Sequence, residues 1–121
     1  MSDYRFAYPW NTVLKVNKML AFGSDAFVED ASPILGINTA VKRIPENENV
    51  PFQREECISA SETLKAYAKY SSYAIFSEGY TGEIKKGNLA DFVILEKSLF
   101  SDNIGNSVLA TILGGKVIWM T

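Results

Sequence analysis

Met19-Leu20-Ala21-Phe22-Gly23-Ser24-Asp25-Ala26 is the stretch whose reading decides the fold. A short apolar run stopped by a glycine suits a strand buried on both faces, so the pattern predicts a strand over Met19 to Phe22 and a loop beyond it. In parallel α/β sheets and barrels, active sites are built at the C-terminal ends of strands. Asp25 is delivered just past such an end, with Gly23 supplying backbone freedom before it. The residues alone leave two readings open for Asp25: a local cap on the following turn, or a carboxylate presented to a site.

Working outward, Trp10 to Lys18 mixes apolar and polar residues at helical spacing, with Pro9 suited to the first turn and lysines near the end. On the other side, Ser32 and Pro33 precede Ile34, Leu35, Ile37, Ala40 and Val41, and Lys42 and Arg43 close the stretch. Serine as cap, proline at the first helical position and cations in the last turn predict a second helix. Residues 44–56 hold two prolines, two asparagines and four glutamates, which describes an exposed connection. Ser59 and Glu62 have capping-box spacing, and Leu64, Tyr67, Ala68, Ser71, Ala74 and Ile75 fall on one face of the helix they open.

The last third changes period. Tyr80 to Gly87 reads as turn, extended piece and turn, and Leu89 to Leu95 as a strand. Val108 to Leu113, Gly114-Gly115 and Lys116 to Trp119 read as a β-hairpin. The element order is helix, strand, two helices, then three or four strands, an α/β or α+β class. It divides into a helical part, 1–76, and a sheet part, 77–121.

Of the 121 residues 47% are apolar, enough for one compact core. A net charge of −2 offers no basic field for phosphate backbones, so nucleic acid is not an expected partner. No apolar run approaches the roughly 18 residues of a membrane span. The start, Met1 to Phe6, lacks the pattern of a secretory signal, and the lone Cys57 suits a reducing compartment, so the expected location is cytoplasmic. Cys57 reads as an ordinary small side chain. The complete absence of histidine excludes a Ser-His-Asp triad and removes the commonest zinc ligand.

Several stretches, in order, resemble one family. Leu20 to Ala26, Pro33 to Ile37 and Ala40 to Arg43 look like the last barrel strand and helix of a metal-dependent amidohydrolase. Ser59 to Tyr67 resembles that family's next helix, Gly82 to Leu95 the return into its small β-sandwich, and Val108 to Ile118 its closing strands. The resemblance implies the C-terminal part of a (β/α)₈ barrel plus a portion of a sandwich made from both chain ends. It implies that Asp25 is the aspartate after the eighth strand, a metal ligand and catalytic carboxylate, and that Asp91 is structural. The complete family site holds a divalent metal, zinc by preference. Phe27 departs from the family's usual proline.

A whole barrel takes about 250 residues, and this chain has no histidine, so the resemblance implies hydrolysis of C–N bonds only when other barrel elements are supplied. For the chain alone the expectation is no bound metal and no turnover. Three readings follow: a fragment or split subunit of an amidohydrolase, a non-catalytic remnant serving association, or a small binding domain using a pocket near Asp25. A complementing barrel chain or a homo-oligomer is the expected partner, because an unflanked barrel strand leaves edges and apolar faces open.

Overall fold

The structure is a computed structural model and describes Tyr4 and residues 6–100 and 106–121. Of the N-terminal stretch Met1 to Phe6, Met1, Ser2, Asp3 and Arg5 lie outside the described residues. Four α-helices, a 3₁₀ turn and a three-stranded antiparallel sheet follow one another. The helices are α1 (Trp10–Asn17), α2 (Pro33–Lys42), α3 (Ala60–Tyr67) and α4 (Lys69–Ala74), with the 3₁₀ turn at Arg54–Glu56. Packing runs from α2 to α3 to α4 and from α1 to the 3₁₀ turn, while the strands pack through their own ladder.

α1 buries no residue and is held by polar contacts at its first turn. There the orphan N–H of Thr12 donates to Glu56 Oε2 at 2.9 Å and its hydroxyl to Oε1 at 2.5 Å, while Asn11 Nδ2 donates to the Glu55 carbonyl at 2.7 Å. A carboxylate at a helix N-terminus is favoured by both the free amides and the helix dipole. The hydroxyl of Thr12 first, and then the Thr12 and Asn11 amides and the Arg43 charge, hold the Glu56 carboxyl below its ordinary 4.5.

α2 begins at Pro33 as expected, but Ser32 is not its side-chain cap. Instead the Ser32 N–H donates to Asp30 Oδ1 at 2.7 Å, an Asx-type turn that draws the serine into local bonding before the helix starts. The helix buries Ile37 and Ala40 and ends on Arg43 in the left-handed region, φ 49°. Arg43 is 5% exposed. Its Nε donates to the Phe52 carbonyl at 2.9 Å and its terminal nitrogens to the carbonyls of Tyr8 at 2.9 Å and Ala7 at 3.3 Å. The same guanidinium lies 4.6 Å from the Trp10 ring centroid and 5.4 Å from that of Phe52.

The expected strand at Met19 to Phe22 is not formed. The backbone there is extended but joins no ladder, and it is not buried on both faces, since Met19 is 39% exposed. The physical reason is the lack of a parallel neighbour: among the described residues nothing offers a second extended edge beside it. Phe22 is tied to a helix break, its N–H donating to the Ala66 carbonyl at 3.0 Å and its carbonyl accepting from Ser71 Oγ at 2.7 Å.

That break corrects a second expectation, the single helix from Ser59 to Ile75. Ser59 does cap it, accepting from the Glu62 N–H at 3.2 Å, but Glu62 turns to Lys65 at 2.5 Å and leaves the capping box half made. At Ala68 the backbone leaves the helix, φ −111° and ψ −79°, and α4 restarts at Lys69. Ser72 of α4 and, beyond the helix, Ser77 and Thr81 join their hydroxyls at 3.0, 2.7 and 2.9 Å, and Gly82 at φ +85° passes so close that a Cβ would lie 2.6 Å from that of Ser72.

The sheet is β1 (Phe92–Leu95), β2 (Val108–Leu113) and β3 (Lys116–Met120) in that order. The hairpin over Gly114-Gly115 forms as read, whereas the strand expected from Leu89 shortens to Phe92 because the Leu89 N–H is taken by the Tyr80 carbonyl at 2.8 Å. Asp91 Oδ1 accepts from the Gly114 N–H at 2.6 Å, so this carboxylate pins the hairpin turn. Both outer strands keep apolar side chains in the open, Val93, Val117 and Trp119 among them. Among the described residues no helix is long and apolar enough to cross a membrane.

Two outcomes test this architecture. Arg43→Met removes the guanidinium donors to the carbonyls of Ala7, Tyr8 and Phe52 and should cost about 3 kcal/mol, read as a lower midpoint in urea, while Lys42→Ala beside it should change stability by less than about 0.5 kcal/mol. Because the Glu56 carboxyl is depressed in the folded state, its contribution is present above the ordinary 4.5 and lost as pH falls through the lower folded value. Unfolding curves between pH 6 and about 3 should therefore converge for the parent chain and Glu56→Gln, with the difference seen only at the higher pH.

Candidate functional site

Asp25 sits three residues beyond the extended segment, in the left-handed region at φ 57°. Its carbonyl accepts from the N–H groups of Val28 at 2.8 Å and Glu29 at 3.4 Å, so its main chain closes the turn that the next residues form. Its side chain is exposed, and among the described residues nothing bonds to its carboxylate. The Ala26–Phe27 peptide is cis, and Phe27 is 104% exposed. The local-cap reading of Asp25 is thus carried by its backbone, which leaves the carboxylate uncommitted.

Beside this loop lies a cavity of about 730 Å³, walled by the extended segment, the start of α1, one face of α2 and the end of α3. Tyr8, Trp10, Phe22 and Tyr67 form a ladder of rings along it. Consecutive centroids lie 5.9, 5.5 and 5.6 Å apart and consecutive planes are inclined by 55°, 59° and 75°. Such tilted and edge-to-face pairs suit the ring quadrupoles and add to the burial of their area. Asp25 is not in the wall of this cavity, but Gly23 and Ser24 are.

Two features of the ladder were not legible beforehand. Gly36 lies within α2, and a Cβ there would fall 1.7 Å from the Tyr67 hydroxyl oxygen, so the glycine admits the phenol against the helix. Burial then pushes the Tyr67 hydroxyl above its ordinary 10.0. Phe22, a strand-core position by its sequence pattern, is instead the third of the four rings, between Trp10 and Tyr67. Only the aromatic residue types signalled either role.

No set of three or more His, Cys, Asp or Glu side chains gathers as a metal cradle among the described residues. Cys57 is a free, half-buried thiol beside Ile58. The structure brings Asp25 near Glu29 and Asp30 in sequence and turn, and Asp91 stands apart in the hairpin where it is already bonded.

Residues 2–119 match the family described as the Amidohydrolase family. The chain is 39% identical over 116 residues to "Protein LONG AFTER FAR-RED 3" of Arabidopsis thaliana, covering 93% of this chain and 20% of that protein. It is 31% identical over 119 residues to "Putative amidohydrolase YtcJ" of Bacillus subtilis (strain 168), covering 93% of this chain and 22% of that protein. The chain therefore spans about a fifth of the length of the curated relatives it matches. No solved structure matches it significantly.

Filling the gap at Gly36 tests the ladder. Gly36→Ala should expel the Tyr67 ring and cost about 1–3 kcal/mol, and the Tyr67 titration, followed by NMR on labelled tyrosine, should move back toward 10.0.

Proposed function

Because the chain belongs to the amidohydrolase family, we propose that it is the C-terminal part of a metal-dependent hydrolase of C–N bonds, the last strand and helices of its barrel with part of its sandwich. Asp25 is the residue this reading assigns to metal binding and catalysis. The observation that carries it is the uncommitted Asp25 carboxylate, held just past the extended segment by a turn whose bonds use only its main chain. The family match across residues 2–119 gives that placement its context.

The residues present do not make a metal site by themselves. Catalytic zinc sites take about three protein ligands, whereas Asp25 is a single carboxylate and the sequence has no histidine. No catalytic step is therefore assigned to this chain alone. In this reading the remaining ligands and the substrate-selecting loops come from a complementing barrel chain, and the main-chain groups of Leu20 and Ala21, which bond to no described residue, are where it joins. The lack of histidine favours one second reading, a non-catalytic remnant that serves association. Either way the apolar side chains left open on β1 and β3 call for a covering surface, most simply a second copy when the chain is alone.

Three measurements bear on this. The purified chain should retain no stoichiometric zinc after chelator-free dialysis and show no amidase turnover above background; zinc that stays bound and is lost in Asp25→Ala would show that a site exists without a partner. Asp25→Ala should leave the urea midpoint within about 0.5 kcal/mol of the parent, since the carboxylate supports nothing in the fold. Light scattering at micromolar concentration should report a dimer, and a clean monomer would remove the self-association reading.

A further inference from the structure

The cavity beside the Asp25 loop has a composition that the hydrolase reading does not use. Its volume, about 730 Å³, lies within the range of small-molecule sites. Four of its wall residues are the ring ladder Tyr8, Trp10, Phe22 and Tyr67, whose consecutive planes are inclined by 55–75° rather than stacked face to face. Among the described residues Glu29 and Asp30 are its only charged wall residues, and no described lysine or arginine lines it.

Each of these features selects the same ligand chemistry. Aromatic faces carry negative quadrupole potential, which attracts cations within about 6 Å of a ring centroid. The carboxylates add the same sign of field and repel anions. Glu29 bonds to no described side chain, so its charge is available. Trp10 already shows this preference within the fold, since the Arg43 guanidinium lies 4.6 Å from its ring centroid. Arg43 itself lines the neighbouring cavity with Ile44 and Phe52, and Glu56 opposes its charge. We propose that the cavity is a binding site for a small organic cation, a substituted ammonium group seated among the rings of Trp10, Phe22 and Tyr67 with Glu29 and Asp30 at its rim. This inference does not rest on the role of Asp25, which is outside the cavity wall.

The test is calorimetric titration of the full chain with choline and with 3,3-dimethylbutan-1-ol, its neutral isostere of the same shape, at fixed ionic strength. Choline should bind saturably and at least about fivefold more tightly than the neutral alcohol, the scale expected of ring and carboxylate attraction. Glu29→Gln, an exposed change that leaves the fold intact by circular dichroism, should weaken choline about threefold and leave the alcohol unchanged. Phe22→Leu should weaken choline further. Equal affinities for the two probes would mean an apolar hollow without charge selection and would overturn the proposal. So would the absence of saturable choline binding by the folded chain, including the case in which light scattering shows a dimer that occupies the cavity.

Discussion

The guanidinium of Arg43 is the contact on which the helical part depends. It is charged, almost wholly buried, and bonded chiefly to backbone carbonyls at Ala7, Tyr8 and Phe52. A buried cation is tolerated only when its donors are met, and its planar fork is what can tie two other chain segments to its own. The segment before α1, the C-terminus of α2 and the connection before the 3₁₀ turn are thereby fixed to one point. The rings of Trp10 and Phe52 close over it, and Glu56 adds the opposing charge while it holds the first turn of α1.

Polar anchoring of this kind compensates for a thin apolar core. α1 buries nothing, α2 buries Ile37 and Ala40, and α3 buries Thr63 and Ala66. Small residues at these positions bring α2 and α3 close together, and Gly36 against Tyr67 is the extreme of that approach. The ring ladder grows out of the same geometry: Arg43 positions Trp10, Trp10 meets Phe22, and Phe22 meets Tyr67. The cavity is thus bounded by residues whose positions trace back to one guanidinium.

Much of this was legible from local signals. Helix caps at Ser59, the proline at the start of α2 and the Gly114-Gly115 turn act over a few residues, and the structure follows them. What failed depended on partners distant in sequence. Met19 to Phe22 has the composition of a buried strand, but composition cannot supply a neighbouring strand, and the segment bonds to a helix break instead. The break at Ala68 was hidden because no glycine or proline marks it, and it shows only through the bonds that Ala66 and Ser71 make to Phe22. Arg43 was read as a cation near a helix end, and its burial was invisible because it comes from carbonyls more than thirty residues away in sequence. For Asp25 the sequence shows a carboxylate just past an apolar run, and only the structure shows that this carboxylate bonds to no described residue.

Segment 19–22, where the expected strand is absent, and the two outer strands, which leave apolar side chains open, have sequences that ask for more neighbours than the described chain offers. Leu20 and Ala21 keep main-chain groups that bond to no described residue, while Val93, Val117 and Trp119 remain in the open. The curated relatives are about five times as long, and this chain aligns with a fifth of each. The segment keeps the apolar pattern of a strand where no strand forms, a local preference that the described contacts do not satisfy. Local rules and Arg43 suffice to fix the helices and the hairpin, whereas the Met19 to Asp25 stretch, patterned as a strand that ends on a carboxylate, finds no second strand among the described residues.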